Sequence, residues 1–411
     1  MKKIMFYCQY LSGMGHLVRS TEIVRNLVKY FHVYFINGGP EIAGFEIPPQ
    51  VELIRLPALW LEDGKFTAGD SNQIVEEVKT IRKNLLISEF DRIKPDCLIT
   101  EFFPFGRHKL FFELLPFVEH IKNTNPATKI ICSLRDVIGK ETEPEEEKII
   151  CDLMNRYFDL LLFHSDPNFQ QFSESFSRHK DIRSEIIYTG FVTQDPKSYT
   201  NNASELWGDA NSGIAKILVS VGGGRIGYEL LENVIAASPS LVKSIPHIIK
   251  VFTGPFMPED KVQKLKQLAC EHSNIQIETY TFHLLEYMKT ADIALSLSGY
   301  NTMMNILSTG VRAIVVPIGH EQQDKEQLVR TQKLENLEIV DCILPQNLTV
   351  TSLKEKIING LSKNKDGLSK NKALYNYKFD LNGAEKTAIY LRNYLLCKST
   401  ENKSLIFIEE K

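Results

Sequence analysis

The stretch Ile4-Met5-Phe6-Tyr7-Cys8-Gln9-Tyr10-Leu11-Ser12-Gly13-Met14-Gly15-His16-Leu17-Val18-Arg19 opens with an apolar run, passes through closely spaced glycines, and enters a segment whose apolar residues recur at helical spacing. The run suits a strand covered on both faces, and Val18, Ile23, Leu27 and Val28 mark one side of a following helix. The same succession returns at Val219-Ser220-Val221-Gly222-Gly223-Gly224-Arg225, ahead of a helix near 228–237. A strand that runs into glycines and then a helix is the opening unit of a parallel α/β sheet, and here it occurs twice.

Around the first unit, strands are expected over 4–8, 32–37, 51–55, 97–100, 129–133, 160–164 and 186–189, with helical segments between several of them. Around the second, strands are expected over 217–221, 248–253, 275–278, 293–296 and 313–316, alternating with helices near 260–271, 284–290 and 302–309. The fold class that follows is α/β, with two doubly wound, Rossmann-like domains facing each other across a cleft. The first spans 1–193, and a polar, proline-containing linker runs over 194–213. The second spans 214–375, and a Lys/Asn-rich solvated connection lies at 363–372. A last helix within 376–397 is expected to pack back on the first domain, followed by a tail at 398–411 with 404–408 as a candidate edge strand.

Composition narrows the function classes. The 411 residues carry 48 Lys+Arg against 51 Asp+Glu, a net charge of −3, with 43% hydrophobic residues, which argues against disorder and against a general nucleic-acid binder. No apolar run approaches the roughly 18 to 20 residues of a membrane span. The start lacks a small-residue cleavage site and reads as a strand, not a signal peptide. The seven cysteines are odd in number and widely spaced, which points to a reduced, cytoplasmic protein without a zinc or disulfide framework.

The glycine loops carry the chemistry. A dinucleotide fingerprint would need a third glycine where Val18 stands, which disfavours a dehydrogenase. His16, at a strand-to-helix turn, reads either as a general base or as a satisfied turn histidine. Gly222, Gly223 and Gly224 read as a phosphate cradle with Arg225 as counter-charge, or as a tight turn. In Ser298-Gly299-Tyr300-Asn301-Thr302, the residues Ser298, Asn301 and Thr302 can cap the next helix or donate to a phosphate. Glu101 ends a strand and is a second candidate base, or else an ion-pair partner of Arg107 or Arg135. Arg135 and Asp136, at the end of the next strand, either position an acceptor or pair with one another. No Asp-x-Asp motif sits in a suitable loop, so metal-independent chemistry is expected. The aromatic stretch 101–118 reads as a buried helix, or alternatively as a peripheral membrane contact.

Taken in order, Gly13-Met14-Gly15-His16, Phe103-Pro104-Phe105-Gly106, Leu134-Arg135-Asp136, Tyr188-Thr189-Gly190, the 219–224 loop, Thr253-Gly254-Pro255-Phe256-Met257-Pro258, the 298–302 loop and Glu326-Gln327-Leu328-Val329-Arg330 resemble the GT-B glycosyltransferases. The closest likeness is to family 28, the group containing the bacterial lipid-linked N-acetylglucosaminyltransferase of cell-wall synthesis, and to its "predicted glycosyltransferase" branch. The resemblance spans about 3–395 and implies a hexosyl- or N-acetylhexosaminyltransferase using a nucleoside-diphosphate sugar, most often a UDP-sugar, as co-substrate and no other cofactor. It implies that Gly13, Gly15, Gly222 to Gly224, Arg225, Ser298, Gly299, Asn301 and Thr302 surround the diphosphate. Tyr280, Thr281 and Phe282 would meet the nucleobase, Gln327 with Glu326 the donor sugar, and His16 the transferring centre. Asn305 stands where the cell-wall enzyme has a ribose-binding glutamate. Arg107, Arg135 and Asp136 fall to the acceptor, a hydroxyl or amine on a small or lipid-linked molecule. The competing functions are a sugar-nucleotide hydrolase or 2-epimerase on the same fold, and a non-catalytic nucleotide-sugar-binding protein.

Overall fold

The structure is a computed structural model and describes residues 1–11, 13–62, 64–69, 74–138, 143–194, 206–208, 213–318, 325–362, 374 and 376–396. The tail at 398–411 with its candidate strand, the 363–372 connection and most of the 194–213 linker lie outside these residues.

The first sheet has seven parallel strands: β1 (Lys3–Cys8), β2 (His32–Asn37), β3 (Glu52–Arg55), β6 (Cys97–Glu101), β7 (Lys129–Arg135), β8 (Leu160–His164) and β9 (Glu185–Tyr188), in the order β3-β2-β1-β6-β7-β8-β9. The second has six: β10 (Ala215–Ser220), β11 (His247–Phe252), β12 (Ile275–Glu278), β13 (Ile293–Leu297), β14 (Ala313–Val316) and β15 (Val340–Cys342), in the order β12-β11-β10-β13-β14-β15. In both, the order reverses direction beside the opening strand, between β1 and β6 and between β10 and β13. Ligands of open parallel sheets bind outside the carboxyl ends of the strands at that reversal.

Alternation along the opening strands builds the layers. Met5 and Tyr7 enter a core on one face, with Leu98, Leu114 and Phe117, while Ile4, Phe6 and Cys8 enter the other, with Leu17, Ile23 and Leu27 of α1 (Gly15–Leu27). In the second domain Ile217 and Val219 face one helical layer and Leu218 the other. The aromatic stretch belongs to the first core: Phe103, Phe105, Leu110, Leu114 and Phe117 are buried.

Three details depart from the sequence reading. Val340–Cys342 (β15) is a sixth strand of the second sheet where five were expected, and Leu59–Glu62 (β4) with Lys65–Ala68 (β5) forms an antiparallel hairpin where no strands were expected. Within the nominal linker, Trp207 is buried in the second domain, where its indole N–H donates to Thr290 Oγ1 at 2.9 Å.

The chain leaves the first domain at 190–193 and returns to it at 380–383, and the two passages run side by side. Phe191 N–H donates to the Asp380 carbonyl at 2.7 Å, Gly383 N–H to the Phe191 carbonyl at 2.9 Å, and Thr193 Oγ1 to the Leu381 carbonyl at 3.0 Å. The terminal helix Gly383–Leu396 then inserts Ala384, Ala388 and Leu391 into the same core face as α1. Because Leu391 is fully buried there, Leu391→Ala is expected to cost about 2–5 kcal/mol of stability in urea unfolding. A change within about 0.5 kcal/mol would place the helix outside that core.

Candidate functional site

Four loops end at the two sheet reversals: the one after β1 with Gly13 and Gly15, the end of β6 at Glu101, the one after β10 with Gly222 to Gly224, and the one after β13 with Ser298 to Thr302. The structure brings them together. A Cβ placed on Gly223 would stand 3.8 Å from Gly13 Cα, and Asn301 Nδ2 donates to the Gly15 carbonyl at 2.9 Å, tying the two domains at the cleft. Cβ positions built on Gly13, Gly222 and Gly299 each meet open space. Gly224 holds φ +88° and Gly254 φ +86°, and their backbones pack so closely that a side chain on Gly224 would run into the Thr253 carbonyl.

The helices behind these loops, α1, the one at Tyr228–Leu241 and the one at Tyr300–Thr309, have no side-chain cap. The capping roles read for Ser298, Asn301 and Thr302 are therefore absent. Ser298 Oγ instead donates to Gln327 Oε1 at 3.2 Å, Asn301 reaches across to the other domain, and Thr302 makes no cap. Gln327 Oε1 also accepts from Ile318 N–H at 2.9 Å, which leaves its amide N–H₂ as the group able to meet a sugar. The Arg225 guanidinium lies 5.0 Å from the Phe256 ring centroid, with its Nε unpartnered.

The Tyr280 and Phe282 rings meet edge to face at 5.1 Å, and Thr281 Oγ1 accepts from His283 N–H at 3.0 Å. Phe282 sits against Gly44 of the first domain and Tyr280 packs on that domain's core. Asn305 is buried: its Nδ2 donates to Gln194 Oε1 at 3.1 Å, and its Oδ1 has no partner.

In the first domain, His16 Nδ1 lies 2.5 Å from Glu101 Oε1. The Glu101 carboxylate is fully buried and also binds Arg19, one helical turn beyond His16, and Arg107 at 2.9 Å. Burial alone would raise the Glu101 pKa, but His16, Arg107 and Arg19 together hold it well below the usual carboxylate range. Glu101 is thus a permanent anion that orients His16, which removes it as a second base; its pairing with Arg107 is present and one with Arg135 is not. Burial and the Arg107 charge push His16 down to about 3, outweighing the carboxylate beside it. The imidazole is therefore neutral at pH 7, with Nδ1–H donated to Glu101 and the Nε2 lone pair left for a proton. Phe102, with φ +66°, places its ring 5.8 Å from the His16 ring.

Arg135 and Asp136 do not pair with each other. Asp136 takes a bidentate pair from Arg330 of the second domain, at 2.7 and 2.8 Å, and Arg135 pairs with Glu326 of the same helix, Glu326–Asn336. Glu326 also binds Arg330, so its buried carboxylate is occupied by two guanidiniums and has no face for a donor sugar, contrary to the sequence reading. Asp136, equally buried, is likewise withdrawn from an acceptor. The Tyr300 ring lies between Arg19 at 5.4 Å and Arg330 at 5.3 Å, and its hydroxyl accepts from Val192 N–H at 3.0 Å. Arg19, Phe102, Tyr300 and Arg330 were given no role in the sequence. The His16/Arg19 and Glu326/Arg330 spacings, which put each pair on one helix face, are the signal that could have found two of them. Among the described residues no three His, Cys, Asp or Glu side chains cluster as metal ligands, and no helix is long and apolar enough to cross a membrane.

Residues 218–386 match the family model described as the glycosyltransferase family 28 C-terminal domain. No curated protein matches the sequence. Among solved structures, a glycosyltransferase from Rickettsia africae ESF-5 superposes with a TM-score of 0.64 at 15% identity, covering 97% of this chain and 99% of that one. MurG of Acinetobacter baumannii does so with 0.56 at 12%, covering 96% and 99%. A putative UDP-N-acetylglucosamine 2-epimerase from Listeria monocytogenes gives 0.62 at 14%, covering 96% and 97%. At these identities the likeness is one of fold, and the two parallel-sheet domains are those of GT-B. The chain has the GT-B fold, and its residues 218–386 match the family 28 C-terminal domain of glycosyltransferases.

Asp136→Ala removes the bidentate partner of the buried Arg330, leaving it Glu326 alone, and is expected to cost about 3–5 kcal/mol in chemical unfolding, much of which Arg330→Met in the same chain should restore. His164, buried between Ser133 Oγ and Thr189 Oγ1, is pushed down to about 3 by burial, as His16 is. The unfolded chain, with both imidazoles near the ordinary 6.5, binds more protons over that interval, so stability present above pH 6.5 is lost as the pH falls toward 3. The thermal midpoint should fall between about pH 7.5 and about pH 4.5, and His164→Gln should flatten that slope.

Proposed function

We propose that the chain is a glycosyltransferase that moves a hexosyl or N-acetylhexosaminyl group from a nucleoside-diphosphate sugar, a UDP-sugar first among them, to a hydroxyl or amine acceptor, without a metal. The observation that carries the reading is the meeting of the glycine loops of both sheets beside a neutral, carboxylate-held His16.

In this reading the open space at Gly13, Gly222 and Gly299 receives the diphosphate. The uncapped N–H groups of the helix at Tyr300–Thr309, the amides of the 222–224 loop and Arg225 stabilise the charge that grows on the leaving group. Tyr280 and Phe282 face the base, Asn305 Oδ1 accepts from a ribose hydroxyl, and Gln327 donates to the sugar. His16 Nε2 takes the proton of the attacking acceptor while Glu101 holds the Nδ1–H side and stabilises the imidazolium that forms. Four thiols buried in the first domain, Cys8, Cys97, Cys132 and Cys151, suit a reducing cytoplasm.

The fold shared with a 2-epimerase supports a second reading, in which the donor is consumed without an acceptor. Release of nucleoside diphosphate from the sugar nucleotide, measured with and without cell extract as a source of acceptor, separates the two: transfer requires the extract.

Calorimetric titration of UDP, dTDP and GDP should find at least one that binds, and failure of all three would sink the reading. His16→Ala should lower kcat by about 10²–10⁴ while leaving nucleotide affinity within about threefold. Because His16 stays neutral down to about pH 3, kcat/KM should hold level through pH 6.5, where an ordinary histidine base would already be half lost. Chelation with EDTA should leave the rate unchanged.

A further inference from the structure

Four guanidiniums, Arg19, Arg107, Arg135 and Arg330, meet three carboxylates, Glu101, Asp136 and Glu326, around Phe102 and His16. The carboxylates lie deepest together with Arg19 and Arg330, and Arg107, Arg135 and His16 lie further out. Side-chain exposure is 0% for Glu101 and Asp136 and 2% for Glu326, against 9% for Arg107 and 18% for both Arg135 and His16. The acids form the floor, and the mouth presents two cations and the imidazole. Among the described residues one positive charge is left over.

Unpartnered donors gather in the same place. Nε of Arg19, of Arg107 and of Arg135, and Nη1 of Arg330, are buried without a hydrogen-bond partner. An orphaned buried donor is costly, so four in one cluster point to a missing acceptor of hydrogen bonds. The groups that titrate nearby register the same field. His16 is pushed down despite touching a carboxylate, and burial together with Arg19 and Arg330 lowers Arg135 despite its pair with Glu326.

We propose that the acceptor carries an anionic group, a phosphate or a carboxylate, that docks on Arg107 and Arg135 over the Phe102 ring beside His16. Both guanidiniums already lie over that ring, at 5.9 and 5.1 Å from its centroid, and each retains N–H donors suited to a planar or tetrahedral oxyanion. The site is assigned to the acceptor because Arg107 and Arg135 stand at the ends of β6 and β7 in the first domain, whereas the loop amides and Arg225 assigned to the diphosphate stand in the second, with Gly13 lining the space between them. Arg107 and His16 share the Glu101 carboxylate, which sets the anion next to the base that activates the nucleophile. This inference rests on the transferase reading and narrows its acceptor.

Inorganic phosphate and, separately, acetate are titrated into the full chain, free and saturated with UDP (or dTDP or GDP, whichever binds). The expected result is that one anion binds in both states, phosphate marking a phosphorylated acceptor and acetate a carboxylate. Arg107→Gln with Arg135→Gln should weaken that binding by at least about tenfold, with nucleotide affinity and the thermal midpoint close to wild type. If the pair of glutamines unfolds the protein, the Arg107→Lys and Arg135→Lys variants, which keep the charge and lose the fork, should still weaken it. The proposal is overturned if neither anion binds, if the variants bind as wild type does, or if the nucleotide abolishes anion binding, which would make the site part of the donor's own. Failure of every nucleotide to bind would instead remove the transferase reading, and the anion titration of the free protein would still decide this one.

Discussion

The Asp136–Arg330 pair is the contact on which the working geometry depends. Both groups are wholly removed from water, they stand 194 positions apart in sequence, and they come from different domains. A charge buried without its partner is costly by several kcal/mol, so Asp136 of the first domain depends on Arg330 of the second. Glu326 and Arg135 extend the pair into a chain of four charges, and Tyr300 is pinned between the guanidiniums of Arg19 and Arg330. The consequences reach the glycine loops. With these charges joined, Gly223 stands against Gly13, Asn301 reaches Gly15, and the Tyr300 hydroxyl holds the crossover at Val192.

A second buried carboxylate does different work. Glu101 contacts three basic side chains, and two of them are always charged. Burial first, and the Arg107 charge after it, disfavour a positive charge on His16 even at hydrogen-bonding distance from Glu101. The pair therefore settles as carboxylate and neutral imidazole, the division of labour in which the acid orients and the histidine exchanges the proton. The arginines that surround it thus serve the chemistry without touching the reacting atoms.

Much of this was legible in the sequence, and the rest divides by range of interaction. Strand alternation and glycine placement gave the seven strands of the first sheet, five of the six in the second and the glycine loops that follow the opening strands, because these depend on local pattern and on chain connectivity. His16 and Glu101 were found because each ends or follows a strand at a reversal. The β4–β5 hairpin was missed although Asp63-Gly64, flanked by alternating residues, is a recognised turn dipeptide. Trp207 was lost inside a polar segment because one buried aromatic does not make a periodicity. The fates of Asp136 and Glu326 were out of reach for a stronger reason. A carboxylate at a strand end has the same local sequence whether it meets a substrate or an arginine from the other domain, and only the folded chain decides.

The overall charge of −3 excludes a general polyanion surface, but it says nothing about how charges are arranged within a cleft. Here the acids lie on the floor with Arg19 and Arg330, and Arg107 and Arg135 stand at the rim, so the opening is positive although the molecule is not. Low dielectric strengthens that arrangement, since a buried carboxylate holds its arginine in place while its own charge is hidden from anything approaching. The rim cations cannot relax toward bulk solvent without abandoning those partners. Their N–H groups therefore stay directed and incompletely satisfied, which is the condition under which a bound anion gains most, because the cost of orienting its donors was met during folding.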